Sequence, residues 1–208
     1  MDVPPTHVAW VAGPEATPTL KVAPIDVGEV LRERLWENCT AVLTSATIPP
    51  SLALHLGLDE AEVTQLDVGS PFAFEDHGLL YCAAHLPEPR SAAYEAAMVD
   101  ELVGLIEAAG GRTLSLFTSW RVMEAAATAA TARLSTPVMT QRDLPKPALV
   151  RRFTDEPETS LFATMGFWQG VDVPGPSLSL VTIDRLPFPR PDDPLLQARR
   201  ERARADAF

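Results

Sequence analysis

Three loops carry residue types suited to phosphate and nucleic-acid chemistry, and each directly follows an apolar run. They are Thr44-Ser45-Ala46-Thr47, Thr118-Ser119-Trp120-Arg121 and Gly166-Phe167-Trp168-Gln169-Gly170-Val171-Asp172. In the first, small hydroxyl side chains bond a carboxylate, a water or a phosphate and let two backbones pass closely, which suits a relay between two sites; an ST-turn or helix cap at a strand end uses the same residues. In the second, hydroxyls and helix N-terminal amides suit a phosphate, with Arg121 beside them and a base stacked on Trp120. The plainer alternative is that Ser119 caps the next helix and Trp120 covers core. The third is the most unusual. Gly170 permits close backbone approach, Gln169 donates and accepts, and Asp172 can receive a ribose hydroxyl or a guanidinium, while a packed turn with a solvated Asp has the same composition. A fourth string, Asp184-Arg185-Leu186-Pro187-Phe188-Pro189, sets Arg185 on a stiff loop to meet a partner's phosphate, or to pair with Asp184 or Asp172.

Loops of this kind need elements to hold them. Leu20–Ala23 reads as a short strand, and Asp26 with Glu29 three residues on reads as a capping box opening a helix with Val30, Leu31 and Leu35 on one face. Thr40–Thr44 is expected as a buried strand, Leu52–Leu56 as a short helix begun by Ser51 and stopped by Gly57, and Val63–Val68 and Leu79–Ala83 as further strands. Met98, Leu102, Leu105 and Ile106 mark a helix ended by Gly110-Gly111. Then come a strand over 112–117, a helix over 121–134, a brief strand at Val138-Met139, a Pro-rich turn over Leu144–Pro147, strands at 160–164 and 178–183, and a polar helix from Leu195 to Arg204. Strands alternating with helices predict an α/β fold with a parallel sheet covered on both faces, and such sheets place ligand contacts in loops at the carboxyl ends of strands.

Composition narrows the function. With 46 % hydrophobic and 22 % charged residues in 208, the chain is a globular one of one domain or one and a fraction. A net charge of -11 excludes global steering toward polyanions, so any nucleic-acid contact must be local. Among the 17 basic residues the only lysines are Lys21 and Lys146, a bias to which we attach no function. No run reaches the length of a membrane helix, and Met1–Pro5 lacks the basic-then-apolar pattern of a secretory signal, so a cytoplasmic location is expected. Cys39 and Cys82 lie far apart and are expected reduced and buried, and His7, His55, His77 and His85 have no ligand-like spacing. The acidic pairs Asp59-Glu60, Asp100-Glu101 and Asp155-Glu156 follow no apolar strand and read as solvated faces. The sequence holds no G-x-x-x-x-G-K-[ST] phosphate loop, G-x-S-x-G elbow, H-E-x-x-H zinc motif or EF-hand loop.

Taken in order, Leu43–Thr47, Leu116–Trp120, Phe167–Gly175 and Asp184–Phe188 resemble the DinG-type, XPD-like superfamily 2 DNA helicases, over nearly the whole chain from about Leu20. The resemblance implies a RecA-like (P-loop NTPase-type) fold: residues 1–50 as the tail of helicase lobe 1, and 51–208 as an incomplete lobe 2. It implies ATP-driven 5′ to 3′ translocation on single-stranded DNA, in repair or replication. Ser45, Ala46 and Thr47 then look like the element coupling nucleotide state to DNA grip. Gln169, Gly170, Asp172 and Arg185 are implied to face the nucleotide, and Thr118, Ser119, Trp120, Arg121, Phe167 and Trp168 the DNA. Gln169 stands where many members carry Glu. ATP and Mg2+ are the implied cofactors of the complete enzyme, with an iron-sulfur cluster in an N-terminal region that these residues do not include. The family's phosphate loop, magnesium motif and later arginine-bearing motif are not among them either.

The expectation is therefore a helicase fragment inactive alone, whose partners are single-stranded DNA and an N-terminal lobe. Two competitors remain open: a non-catalytic RecA-like module binding nucleic acid or protein, and a small α/β enzyme using Asp172 and Arg185 on a phosphorylated metabolite.

Overall fold

A computed structural model describes residues 3–188 and 191–205. The chain divides into two compact units, Met1–Gly78 with Pro189–Phe208, and Leu79–Phe188. Pro189, the last residue of the fourth string, lies outside the described residues.

The first unit is built on an antiparallel hairpin, β1 (His7–Ala12) and β2 (Thr19–Pro24), in register from His7 opposite Pro24 to Ala12 opposite Thr19. β2 agrees with the sequence reading; β1 does not, because His7–Ala12 offers no alternation of apolar and polar residues. A short helix α1 (Gly28–Leu31) continues into a wide turn over Arg32–Trp36. Asp26 accepts from the Gly28 N–H at 2.9 Å, an Asx turn before the helix in place of the capping box expected with Glu29. Arg32 grips Glu62 with two bonds of 3.2 and 2.9 Å, and Trp36 donates to the Leu56 carbonyl at 2.7 Å beside α2 (Leu52–His55). A 3-10 turn over Glu60–Glu62 follows, and a short helix α3 (Phe74–His77) ends this stretch.

In the second unit, α4 (Tyr94–Ala109), β3 (Thr113–Leu116), α5 (Trp120–Arg133), β4 (Val138–Thr140), α6 (Lys146–Asp155), β5 (Ser160–Ala163) and β6 (Leu180–Ile183) succeed one another. The four strands form one all-parallel sheet in the order β4-β5-β3-β6. This is the RecA-like α/β architecture expected, with helices on both faces. Strand residues point alternately to opposite faces, so Phe162 joins one cluster with Met98, Ile106, Met123 and Ala130 of α4 and α5. Leu114, Leu116, Leu161 and Ala163 join Leu149 and Phe153 of α6 on the other. On the α4/α5 face most strand side chains are small. Thr113, Ser115 and Ser160 are fully buried, and they let the alanine-rich face of α5, Ala126, Ala127 and Ala130, come close. Gly110 and Gly111 turn the chain from α4 into β3 with φ of +65° and +78°, and a Cβ on Gly111 would lie 1.8 Å from the Glu158 carbonyl oxygen. In the first unit's second segment, α7 (Pro194–Ala205) packs on β1, and Arg199 donates to the Ile25 carbonyl at 2.9 Å.

Several expectations are corrected. Thr40–Thr44, Val63–Val68 and Leu79–Ala83 are not strands, and Val42, Leu66 and Leu79 are 86 %, 81 % and 94 % exposed. A strand exists only when a neighbour takes its backbone hydrogen bonds, and among the described residues every strand is already placed in the hairpin or the parallel sheet. The Pro-rich turn at Leu144–Pro147 is the start of α6: Pro147 sits in its first turn, where no N–H is missed, and Leu149 and Phe153 at i, i+4 are both fully buried. Cys39 and Cys82 are free thiols, but exposed rather than buried, because the segments that carry them are not strands. Among the described residues, no helix is long and apolar enough to cross a membrane.

The α6 anchor is testable. Phe153→Ala should lower stability by about 3 to 5 kcal/mol in urea unfolding, the cost of emptying a closed aromatic site. A loss under about 1 kcal/mol would show that α6 is not part of the core.

Candidate functional site

Parallel pairing puts the carboxyl ends of all four strands on one edge, and the ladder runs on for one residue past them. Phe117 donates to the Ala163 carbonyl at 2.9 Å, Gln141 to Phe162 at 2.9 Å and Asp184 to Leu116 at 3.0 Å. The three strings of the second unit, after β3, β5 and β6, therefore leave the sheet together, at the place where such sheets bind ligands.

The loop after β5 is clamped from the connection between β4 and α6. Gln141 Oε1 accepts from both the N–H and the hydroxyl of Thr164, at 2.7 and 2.9 Å. Lys146 Nζ donates to the carbonyls of Gly166 and Gln169 at 2.6 and 2.8 Å, and its ammonium lies 5.2 Å from the centre of the Phe167 ring. Gly170, at φ +65°, then turns the chain. The outcome is a braced loop that leaves Gln169 and Asp172 accessible, and Asp172 makes no hydrogen bond or ion pair among the described residues. Phe167, expected among the DNA contacts, is a core ring at 3 % exposure, and Trp168 packs on the same cluster with its Nε1 buried and unpartnered. Adjacent aromatics after a strand do not announce which of them turns inward. Sequence reasoning misses Gln141 and Lys146; the signal is a polar pair flanking the turn between two elements, one of them among the two lysines of the chain.

After β3, Thr118 is exposed and Ser119 holds the N-cap position of α5 in extended conformation, without a capping bond from its hydroxyl. Its carbonyl accepts from Met123 at 3.0 Å. The first amides of α5 thus open onto the edge, a setting that favours anions. Trp120 is half exposed, with the Arg142 guanidinium 4.7 Å from its ring centre. Arg121 makes two bonds to Glu95, one of them 3.1 Å, and holds that carboxyl below the usual carboxylate range.

After β6, Arg185 donates to the Pro89 carbonyl at 3.1 Å and lies over the Tyr94 ring, 5.2 Å from its centre, with Asp184 3.8 Å away. The Asp184 side chain is only 2 % exposed and accepts from the Tyr94 hydroxyl at 3.2 Å. Burial pushes the Asp184 carboxyl above its ordinary value, against the pull of Arg185 and of the Tyr94 bond. Burial, then the Asp184 charge, likewise raises the Tyr94 phenol. Of the alternatives for this string, pairing within it is the one seen; Asp172 takes no part.

Ser45, Ala46 and Thr47 belong to the first unit, in an exposed segment where the Thr47 N–H donates to Ser45 Oγ at 3.2 Å, an ST-turn. Among the described residues no group of three or more His, Cys, Asp or Glu could hold a metal ion.

The buried Asp184 gives a pH prediction. A carboxyl whose folded value is raised stabilises the fold where it is protonated, below the unfolded value of about 3.9, and that contribution is lost as pH rises through the folded value. Asp184→Asn, which keeps an acceptor for Tyr94, should therefore raise the urea midpoint at pH 7, with the gain shrinking as pH falls toward about 4. A gain of the same size at both pH values would contradict the burial argument.

The family described as Helicase C-terminal domain matches residues 102–207. The chain is 52 % identical over 191 residues to the ATP-dependent helicase DinG of Mycobacterium tuberculosis, covering 88 % of this chain and 29 % of that protein. It is 38 % identical over 195 residues to the ATP-dependent DNA helicase YoaA of Escherichia coli, covering 89 % and 30 %. It is 31 % identical over 210 residues to the probable ATP-dependent helicase YpvA of Bacillus subtilis, covering 97 % and 31 %. The chain thus spans less than a third of the length of these relatives. A sheet of this topology serves many chemistries, but a domain match that takes in β3 through β6 and their edge loops names the lineage: the chain belongs to the helicase C-terminal domain family.

Proposed function

We propose that these residues are part of an ATP-dependent 5′ to 3′ DNA helicase that couples ATP hydrolysis to translocation on single-stranded DNA and to unwinding, in cytoplasmic DNA repair or replication. Residues 1–50 are read as the tail of lobe 1 and 51–208 as lobe 2. The observation that carries the reading is the register of the second unit's loops on one edge, with a braced loop presenting Asp172 exposed and without a hydrogen bond or ion pair among the described residues.

Roles follow from that edge. Asp172, Gln169, the Gly170 turn and Arg185 face the nucleotide: Asp172 offers a charged acceptor for a hydroxyl or guanidinium, and Gln169 both donates and accepts. Thr118, Ser119, Trp120 and Arg121 face single-stranded DNA, the hydroxyls and α5 amides on phosphate and the indole on a base. Trp168, partly buried, is read as facing the DNA as well, whereas Phe167 is a core ring and is not. Ser45, Ala46 and Thr47 relay nucleotide state to DNA grip.

Hydrolysis needs a phosphate cradle, a magnesium site and an arginine finger acting together, and the finger alone is worth about 10³ to 10⁵ in rate. The 208 residues hold no G-x-x-x-x-G-K-[ST], so we read them as inactive alone. Their partner is the nucleotide-binding lobe of the same enzyme. The exposed apolar side chains of the first unit, Val42, Leu43, Leu66 and Val68 among them, support this, since surfaces of that kind mark a place for another protein surface.

Two measurements test the reading. The purified chain should hydrolyse no ATP with or without single-stranded DNA; robust turnover would overturn it. In a full-length helicase carrying this region, Asp172→Ala should reduce DNA-stimulated hydrolysis by about 10²-fold or more with an unchanged circular dichroism spectrum. Unaltered hydrolysis would remove Asp172 from the site.

A further inference from the structure

Three arginines on the carboxyl edge already have a carboxylate of their own chain. Arg121 bonds Glu95, Arg185 faces Asp184, and Arg142, in the loop after β4, bonds Glu124 of α5 through Nε. The first two residues belong to strings whose chemistry is visible in the sequence; Arg142 does not.

Its placement is specific. The β4 loop is closed by Asp143, which accepts from the Thr140 N–H and hydroxyl at 2.8 Å each, and the Arg142 N–H reaches Thr140 Oγ1 at 3.3 Å. Gln141, one residue earlier, is committed to Thr164. The backbone of Arg142 is thus held, while its side chain is 63 % exposed and stacks on Trp120 from across β5. A planar cation on an indole face occupies the position that a base would take on a single-strand stacking platform, and it carries its own phosphate-binding fork to that position.

We propose that Arg142 is a further single-stranded DNA contact: a base replaces its guanidinium on Trp120, and the guanidinium exchanges Glu124 for the adjoining backbone phosphate. The inference rests on the DNA-binding reading above and deepens it. The exchange is favourable in kind. An exposed ion pair is a weak interaction, base stacking on an aromatic ring is stronger than an exposed cation–π contact, and a phosphate releases condensed counterions that Glu124 does not. Glu124 is then the counterion that holds the guanidinium ready, and in a chain of net charge -11 it also screens the edge from non-specific polyanion binding.

The test is fluorescence anisotropy of a labelled oligothymidylate titrated with the 208-residue chain over a range of NaCl concentrations. Arg142→Gln should weaken binding about three- to tenfold and lower the slope of log affinity against log salt by about 0.7, the loss of one single-strand phosphate contact. Glu124→Gln should tighten binding about threefold by freeing the fork. Arg133→Gln removes the same charge from the Asp100 pair at the far end of α5, about 20 Å along the helix, and should keep the parent's slope. Both Arg142 and Glu124 are exposed, and unchanged thermal midpoints will show that the variants fold. An Arg142→Gln chain with the parent's slope, a loss matched by Arg133→Gln, or no gain in Glu124→Gln overturns the proposal. Absence of binding by the parent chain at low salt instead overturns the DNA-binding reading itself, so the two failures are distinct.

Discussion

The burial of the parallel strands β3 and β5 on both faces imposes most of the architecture of the second unit. A parallel ladder favours cover on both faces, so α4 and α5 close one side and α6 the other, except at the edge strand β6, where Val181 and Ile183 stay half exposed on the α6 side. The strand residues meet this demand unequally. Leu114, Leu116, Leu161 and Ala163 supply apolar volume toward α6, whereas Thr113, Ser115 and Ser160 keep the opposite face thin enough for alanines of α5 to approach. The Thr182 hydroxyl donates to Ser115 at 3.0 Å, so part of that buried polarity is satisfied between strands. Once the strands run the same way in one register, their connections must return over the helices, and every strand end reaches the same edge.

That edge is organised by charges that never leave the chain. Among the described residues Lys146 donates to carbonyls, those of Gly166 and Gln169, and its ammonium acts as a staple through the third loop, not as a counterion. The arginines, in contrast, meet carboxylates at the surface. Such pairs contribute about 0 to 1 kcal/mol each, so they hold side chains in position without committing them. Asp184 differs from the others because it is buried, which fixes Tyr94 and the start of α4 to the end of β6. The edge therefore combines rigid parts, the Lys146 staple and the Asp184–Tyr94 contact, with exchangeable ones.

Helices are legible wherever apolar residues keep a helical period and a glycine marks the stop, as in α4 with Met98, Leu102 and Ile106 before Gly110. The parallel strands are legible in the second unit, and of the first unit's hairpin only β2 is. The runs at Thr40–Thr44, Val63–Val68 and Leu79–Ala83 have the composition of β3 and β5, yet they lie exposed, because apolar content states a wish for burial and says nothing of a neighbour. α6 goes unread for the opposite reason: two prolines at its start read as a turn, although proline in a first helical turn loses no hydrogen bond.

The residues by themselves determined the parallel α/β class, the positions of the edge loops and the kinship that their strings carry, since periodicity, turn glycines and motif spacing are local properties of the chain. The tertiary structure alone decided that Phe167 turns inward, that Lys146 and Gln141 brace the loop, and that Arg142 covers Trp120. Those outcomes depend on which strand ends stand beside one another, and that order is settled by packing across β4-β5-β3-β6, not by distance along the sequence.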